Sequence, residues 1–229
     1  MNLAEEPMNL NQIFHPENLA QARRLQAYLL KKLKLIPIKK PPEFIAAADA
    51  AFTRELVLAA VCLFSFPDLR LLEAQTAIER LSFPYRPGFL SFCEGPAIYQ
   101  AVQRLSRQPD LILVDGQGIA HPRRMGLATF LGIILNIPTV GCAKSHLIGN
   151  YKLPGKEKGS YSELRHKGEL LGYVLRTRTG VKPVFVSPGH LISQDEALKI
   201  VQQCLSGFRI PEPLRQAHLL SQKIKSMNQ

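Results

Sequence analysis

The run from Asp110 to Arg124 constrains this chain more than any other part of it. Leu111 to Val114 is an unbroken apolar, β-forming stretch with no polar face, so it reads as a strand buried on both sides. Strands of that kind belong inside an α/β sheet, with helices covering both faces. The strand ends on an acid, Asp115, and then come Gly116, Gly118, His121, Arg123 and Arg124. Open α/β sheets bind ligands at the carboxyl ends of their strands, which is where Asp115 falls. A carboxylate delivered to a loop of glycines and cationic donors suits a metal ion held against a phosphate. The same residues also suit a plain Asp-Gly turn with solvated arginines.

Two other acids sit in unusual surroundings. From Phe83 to Pro96, three prolines, two glycines and four aromatics fall within fourteen residues. Proline fixes φ and glycine permits rare φ, so this loop has a defined shape, with Tyr85 at its tip. The helical spacing of Ala97, Ile98, Ala101, Val102 and Leu105 then places Glu94 in or just before the first turn of a helix. An acid there also serves as a cap or dipole partner. Asp49 lies in the centre of the apolar run Phe44 to Phe52, where a charge is costly unless paired or on a metal. It also fits the end of a short strand meeting solvent. No local spacing motif joins Asp49, Glu94 and Asp115; they form a site only if the fold gathers them.

These segments resemble the endonuclease V family, the deoxyinosine 3′-endonucleases of ribonuclease H-like fold. The similarity runs from about Pro42 to about His218. It is densest at Pro84–Pro96 and Pro109–Arg124, with support from Pro138–Lys144, Pro188–His190 and Pro211–His218. Two residues depart from the pattern: Arg86 stands where an apolar residue is typical, and Cys93 where an arginine is common, which implies a missing phosphate contact. The resemblance implies an α/β protein, a ribonuclease H-like mixed β-sheet flanked by helices. It implies a metal-dependent DNA repair endonuclease that recognises deaminated bases, deoxyinosine above all. Cleavage is expected at the second phosphodiester bond 3′ to the lesion, leaving 3′-hydroxyl and 5′-phosphate ends.

Within that reading, Asp49 and Asp115 are the expected direct ligands of Mg2+, with Mn2+ as a substitute, because both lie at strand positions with little freedom. Glu94 is expected to hold a metal-bound water or a second ion, and by resemblance His218 completes the catalytic set; on its own residues His218 also reads as a surface helix histidine. Lys144 and His121 are expected near phosphate oxygens, with Arg123 among the substrate contacts. Tyr85 is expected to wedge into the space left by a flipped base, while backbone groups around Gly88, Leu90 and Gly116 read the base edge. Tyr85 also fits a core aromatic. Two alternatives remain: a ribonuclease of the same fold acting on inosine-containing RNA, and a non-catalytic basic nucleic-acid-binding module.

Composition agrees with a polyanionic partner. The formal charge is +11, and Gly141 to Lys182 alone carries nine basic residues against three acids. Asn18 to Pro42 carries seven basic residues and no acid. A chain of 229 residues is expected to be one nuclease domain over 1–229, with 1–41 as a basic helical lead-in. Cys62, Cys93, Cys142 and Cys204 show no paired spacing. No signal peptide is apparent, and the longest apolar segment, Leu56 to Phe66, falls short of the roughly 20 residues that span a bilayer. The expectation is a cytoplasmic monomer acting on DNA with deaminated bases, with no membrane partner. The pattern predicts a helix over 16–33, a meander of strands over 44–52, 56–65 and 70–79, and a helix to about 108. A strand over 110–114, a helix over 123–136 and a strand over 138–143 follow. After a long polar loop over 152–168 come a hairpin over 170–177 and 182–187 and a helix over 193–205.

Overall fold

The computed structural model describes residues 9–84 and 86–228. Two helices lead in, α1 (Leu10–Phe14) and α2 (Leu19–Leu30), where the sequence predicts one. Asn9 and Asn18 cap them, each side chain accepting a backbone N–H one turn on. Pro16 separates them, because a residue before proline is driven out of the helical region; His15 has φ −122° and ψ 69°.

Strands β1 (Phe44–Phe52), β2 (Leu56–Ser65) and β3 (Leu71–Arg80) form the expected antiparallel meander. Helix α3 (Leu90–Gln103), strand β4 (Leu111–Val114), helix α4 (Leu127–Leu135) and strand β5 (Thr139–Ala143) follow. Strands β6 (Tyr161–His166), β7 (Glu169–Leu175) and β8 (Val184–His190) precede helices α5 (Gln194–Gln203) and α6 (Glu212–Ser226). All eight strands form one sheet in the order β3-β2-β1-β4-β5-β8-β7-β6. Strands β1, β4 and β5 run parallel and the remaining pairs antiparallel, giving the mixed sheet flanked by helices that the element order implies.

Alternation along the central strands divides the core. Ile45, Ala47, Leu111 and Leu113 face one way, onto Val201 of α5 and Leu214 and Ala217 of α6. Ala46, Ala48, Ile112 and Val114 face the other, onto Ala97 and Ala101 of α3 and Leu131 of α4. The small side chains of β1 let helices sit close on both sides.

Three expectations need correction. The polar loop over 152–168 contains β6, an edge strand whose residues are mostly solvent-facing, so it lacks the apolar alternation that marks a half-buried strand. Its turn has φ +51° at Lys167 and +84° at Gly168, the left-handed pair a two-residue hairpin needs. Helix α6 has no counterpart in the predicted elements: its buried stripe, Leu214, Ala217 and Ser221, contains a serine, which blurs the helical period. Glu94 lies in the second turn of α3 and not at its start, since the helix already begins at Leu90. Tyr85 lies outside the described residues.

Candidate active site

The acids meet because of strand register. In the parallel pair β1–β4, Ala48 lies opposite Val114, and the Asp115 N–H donates to the Ala48 carbonyl at 3.0 Å. Asp49 and Asp115 therefore sit side by side on the α6 face of the sheet. Helix α6 brings His218, whose Nδ1 is 3.1 Å from Asp49 Oδ2, and Ser221, whose Oγ donates to the same oxygen. Asp49, Asp115 and His218 each offer one ligand atom, and these atoms lie within 4.8 Å of one another. Two carboxylate oxygens and an imidazole nitrogen at that spacing fit a divalent cation. Asp49 is 6% exposed, so the carboxylate is almost fully withdrawn from water.

Glu94 is outside that group of three and comes from α3, on the opposite face of the sheet. Burial, then the Asp49 and Asp115 carboxylates, push its carboxyl well above the usual range. Asp115 is raised to about 6 by burial and by Asp49, against the counterweight of Lys144. Lys144, from the end of β5, pairs with Asp115 Oδ2. Three acids and one lysine are an unbalanced set, and a cation is what the imbalance lacks.

Asp115 and Lys144 also line a cavity of about 330 Å³, together with Gly88, Leu90, Gly116 and His121. So five of the substrate-contact residues expected from sequence share one space with one of the metal ligands. Gly118 keeps the loop against the sheet: a Cβ there would lie 2.2 Å from the Pro188 carbonyl oxygen. Gly116 has no such steric need, since its nearest neighbours, Leu127 atoms, are at ordinary distances.

His121 and Arg123 also meet at the loop around Gly88. Burial, then Arg123, lowers His121 to about 4, which favours the uncharged imidazole at neutral pH. Its Nδ1 accepts the Arg123 N–H, and its other nitrogen faces Gly88. Arg123 Nη2 donates to the Gly88 carbonyl at 2.6 Å, its Nε donates to Gln26 Oε1, and its guanidinium covers the Phe89 ring at 4.3 Å. Gln26 Nε2 donates to the same Gly88 carbonyl at 3.0 Å. These residues clamp the shaped loop at Gly88, whose φ is +80°. Cys93, which stands where the family resemblance implies an arginine, is buried among Phe83, Phe89 and Phe92 with Sγ donating to the Phe83 carbonyl at 3.3 Å.

Sequence reasoning does not single out Gln26 or Ser221. Both are polar residues on buried helix faces, 1% and 0% exposed, where a polar side chain interrupts the apolar stripe. Gln26→Ala is expected to loosen the Gly88 loop: KM for substrate rises several-fold while the melting temperature falls by only a few degrees. Parallel steady-state kinetics and thermal melts check this, and an unchanged KM would remove Gln26 from the clamp.

Comparison with known proteins follows the same lines. A family model described as Endonuclease V matches residues 27–219. An Endonuclease V from Geotalea uraniireducens is 48% identical over 208 residues, covering 91% of this chain and 89% of that protein. A solved Endonuclease V from Streptomyces avermitilis superposes with a TM-score of 0.88 at 36% identity, covering 93% of this chain and 95% of that one. An Endonuclease V from Ciona intestinalis, solved with a 24mer DNA containing an inosine followed by a ribo-adenosine, superposes with a TM-score of 0.81 at 28% identity, covering 92% and 99%. With the acid cluster and its adjoining cavity in place, the chain belongs to the endonuclease V family and is a nuclease.

Proposed function

We propose that this chain hydrolyses the second phosphodiester bond 3′ to a deoxyinosine, using Mg2+ and leaving 3′-hydroxyl and 5′-phosphate ends. One observation carries the reading: Asp115 belongs both to the acid cluster and to the wall of the neighbouring cavity. Asp49, Asp115 and His218 would hold the cation. When bound, it supplies Lewis-acid stabilisation to phosphoryl oxygens and makes water nucleophilic near neutral pH. Glu94 orients the attacking water, Ser221 fixes the Asp49 carboxylate, and Lys144 moves between Asp115 and a phosphate oxygen.

The cavity suits a deaminated base. At about 330 Å³ it reaches the size at which ligand pockets begin, roughly 300 Å³. Deamination turns an exocyclic amine into a carbonyl and gives the adjacent ring nitrogen a proton. Two cavity residues carry buried polar atoms without a partner among the described residues, Ser91 Oγ and Gln117 Oε1. Gln117 Nε2 donates to the Ser145 carbonyl at 3.0 Å, which fixes Oε1 as an acceptor. An acceptor there welcomes the ring N–H of hypoxanthine and repels the ring lone pair of adenine. The Gly88, Leu90 and Gly116 backbone supplies further contacts, as the sequence reading expects.

Nicking of matched oligonucleotides carrying one deoxyinosine or one deoxyadenosine tests the reading, with Mg2+ present; equal rates on both would overturn it. Gln117→Leu is expected to lower the inosine-over-adenosine preference in kcat/KM by about tenfold, the loss of roughly one buried hydrogen bond. Unchanged preference would leave base reading to the backbone alone. Tyr85→Ala is expected to weaken duplex binding by roughly 5- to 150-fold, equivalent to about 1–3 kcal/mol of base–aromatic stacking. The penalty should shrink on single-stranded substrate, where less unstacking is needed. Equal losses on both substrates would rule out the wedge.

A further inference from the structure

A second cavity, of about 420 Å³, is lined in part by the same chain segment as the first. The segment 121–125 gives His121 to the base cavity and Arg123 and Arg124 to this one. Apolar atoms of Ala27 and Leu30, on α2, line it together with cationic Arg23 from the same helix and Lys167 from the β6–β7 turn. A lining of apolar surface with cations matches a nucleotide, whose sugar is apolar on its faces and whose phosphate is anionic. Glu169 pairs with Arg124, but among the described residues no acid pairs with Arg23 or Lys167, and both are exposed. Arg123 is turned inward onto Gln26 and the Gly88 carbonyl, and burial together with the nearby Arg23 lowers its guanidinium below the usual value. Like charges crowded in this way call for an anion from outside.

The order of the sites gives the direction of the strand. Cleavage lies 3′ to the base, so the 3′ segment leaves the base cavity toward Asp115 and Asp49. The 121–125 wall, and the basic cavity behind it, are left for the chain arriving from the other side. We infer that Arg23, Lys167 and Arg124 form a cleft for the backbone of the nucleotides 5′ to the deaminated base, on the strand that is cut. The inference rests on the proposed deoxyinosine cleavage for its polarity. It also explains two features that the chemistry leaves unused, the basic face of α2 and the left-handed turn that presents Lys167.

The test uses the full chain and fluorescent single-stranded oligonucleotides with one deoxyinosine. The 3′ arm is fixed and the 5′ arm is one or eight nucleotides long. Arg23 and Lys167 are exposed, so the double variant Arg23→Gln, Lys167→Gln should fold as the parent does. On the long 5′ arm, KM is expected to rise about tenfold with kcat unchanged, and the salt slope of binding to fall by about 1.4, from roughly 0.7 per lost single-strand phosphate contact. On the short arm, parent and variant should coincide. Equal losses on both arms, or no loss on the long arm, would each overturn the cleft. Failure of the parent to nick deoxyinosine would overturn the proposed cleavage instead, because anisotropy with the same oligonucleotides still reads the dependence on the 5′ arm.

Discussion

Asp115→Ala is expected to lower the nicking rate by at least about a thousandfold, and Asp49→Ala likewise, with the fold intact. Each carboxylate supplies one of the three clustered ligand atoms, so its loss removes the cation as well as a charge. Lewis-acid stabilisation of phosphoryl transfer amounts to several kcal/mol, and about 4 kcal/mol corresponds to three orders of magnitude. Folding should survive because Asp115 is held at a raised value by burial and by Asp49, which marks an ion the apo fold holds under repulsion. Binding should persist in part, since Leu90, Gly116 and the Gly88 loop are untouched. Single-turnover nicking with circular dichroism on the same samples checks both halves. A variant that nicks near the parental rate in saturating Mg2+ would remove that residue from the metal site.

The second large effect concerns pH. A carboxyl whose folded value lies above its unfolded value holds its proton more tightly in the folded state. For Asp115 the values are about 6 folded and 3.8 as the ordinary reference. Its stabilising contribution is therefore fully present below about pH 4 and is lost as pH rises through about 6. The shift of about two units corresponds to on the order of 3 kcal/mol, and Glu94 shifts in the same direction. Without metal, the parent should thus melt lower at pH 8 than at pH 5 relative to Asp115→Asn, by several degrees for a chain of this size. Adding Mg2+ at pH 8 should recover the loss in the parent and do far less for the variant. A parent and variant with parallel pH profiles would contradict the placement of repelling carboxylates at this site.

How much of this was legible beforehand follows from where each signal comes from. Strands β1 and β2 match their expected bounds, and β4 to within a residue, because continuous apolar runs bounded by turns are hard to read otherwise. The pairing of Asp49 with Asp115 follows from the parallel register of β1 and β4, a long-range fact that no local spacing announces. His218 enters the site by resemblance alone, since the sequence pattern predicts no helix at α6. Its partner Ser221 was hidden for the same reason: a buried serine interrupts the helical stripe that would have exposed both. His121 reads as a residue near phosphate oxygens and Arg123 as a substrate contact because sequence shows residue type and not burial. In the fold burial lowers the first to about 4, and the second donates to Gly88 and Gln26.

The acid cluster is tested most directly by mapping the cut on a labelled oligonucleotide that carries one deoxyinosine. Parent protein with Mg2+ should give one product, ending in a 3′-hydroxyl one nucleotide beyond the lesion. The product should vanish with a chelator and with Asp115→Asn, and return with the parent when Mg2+ is restored. Cleavage that survives the chelator, or that Asp115→Asn performs at the parental rate, would contradict a metal site built on Asp49, Asp115 and His218.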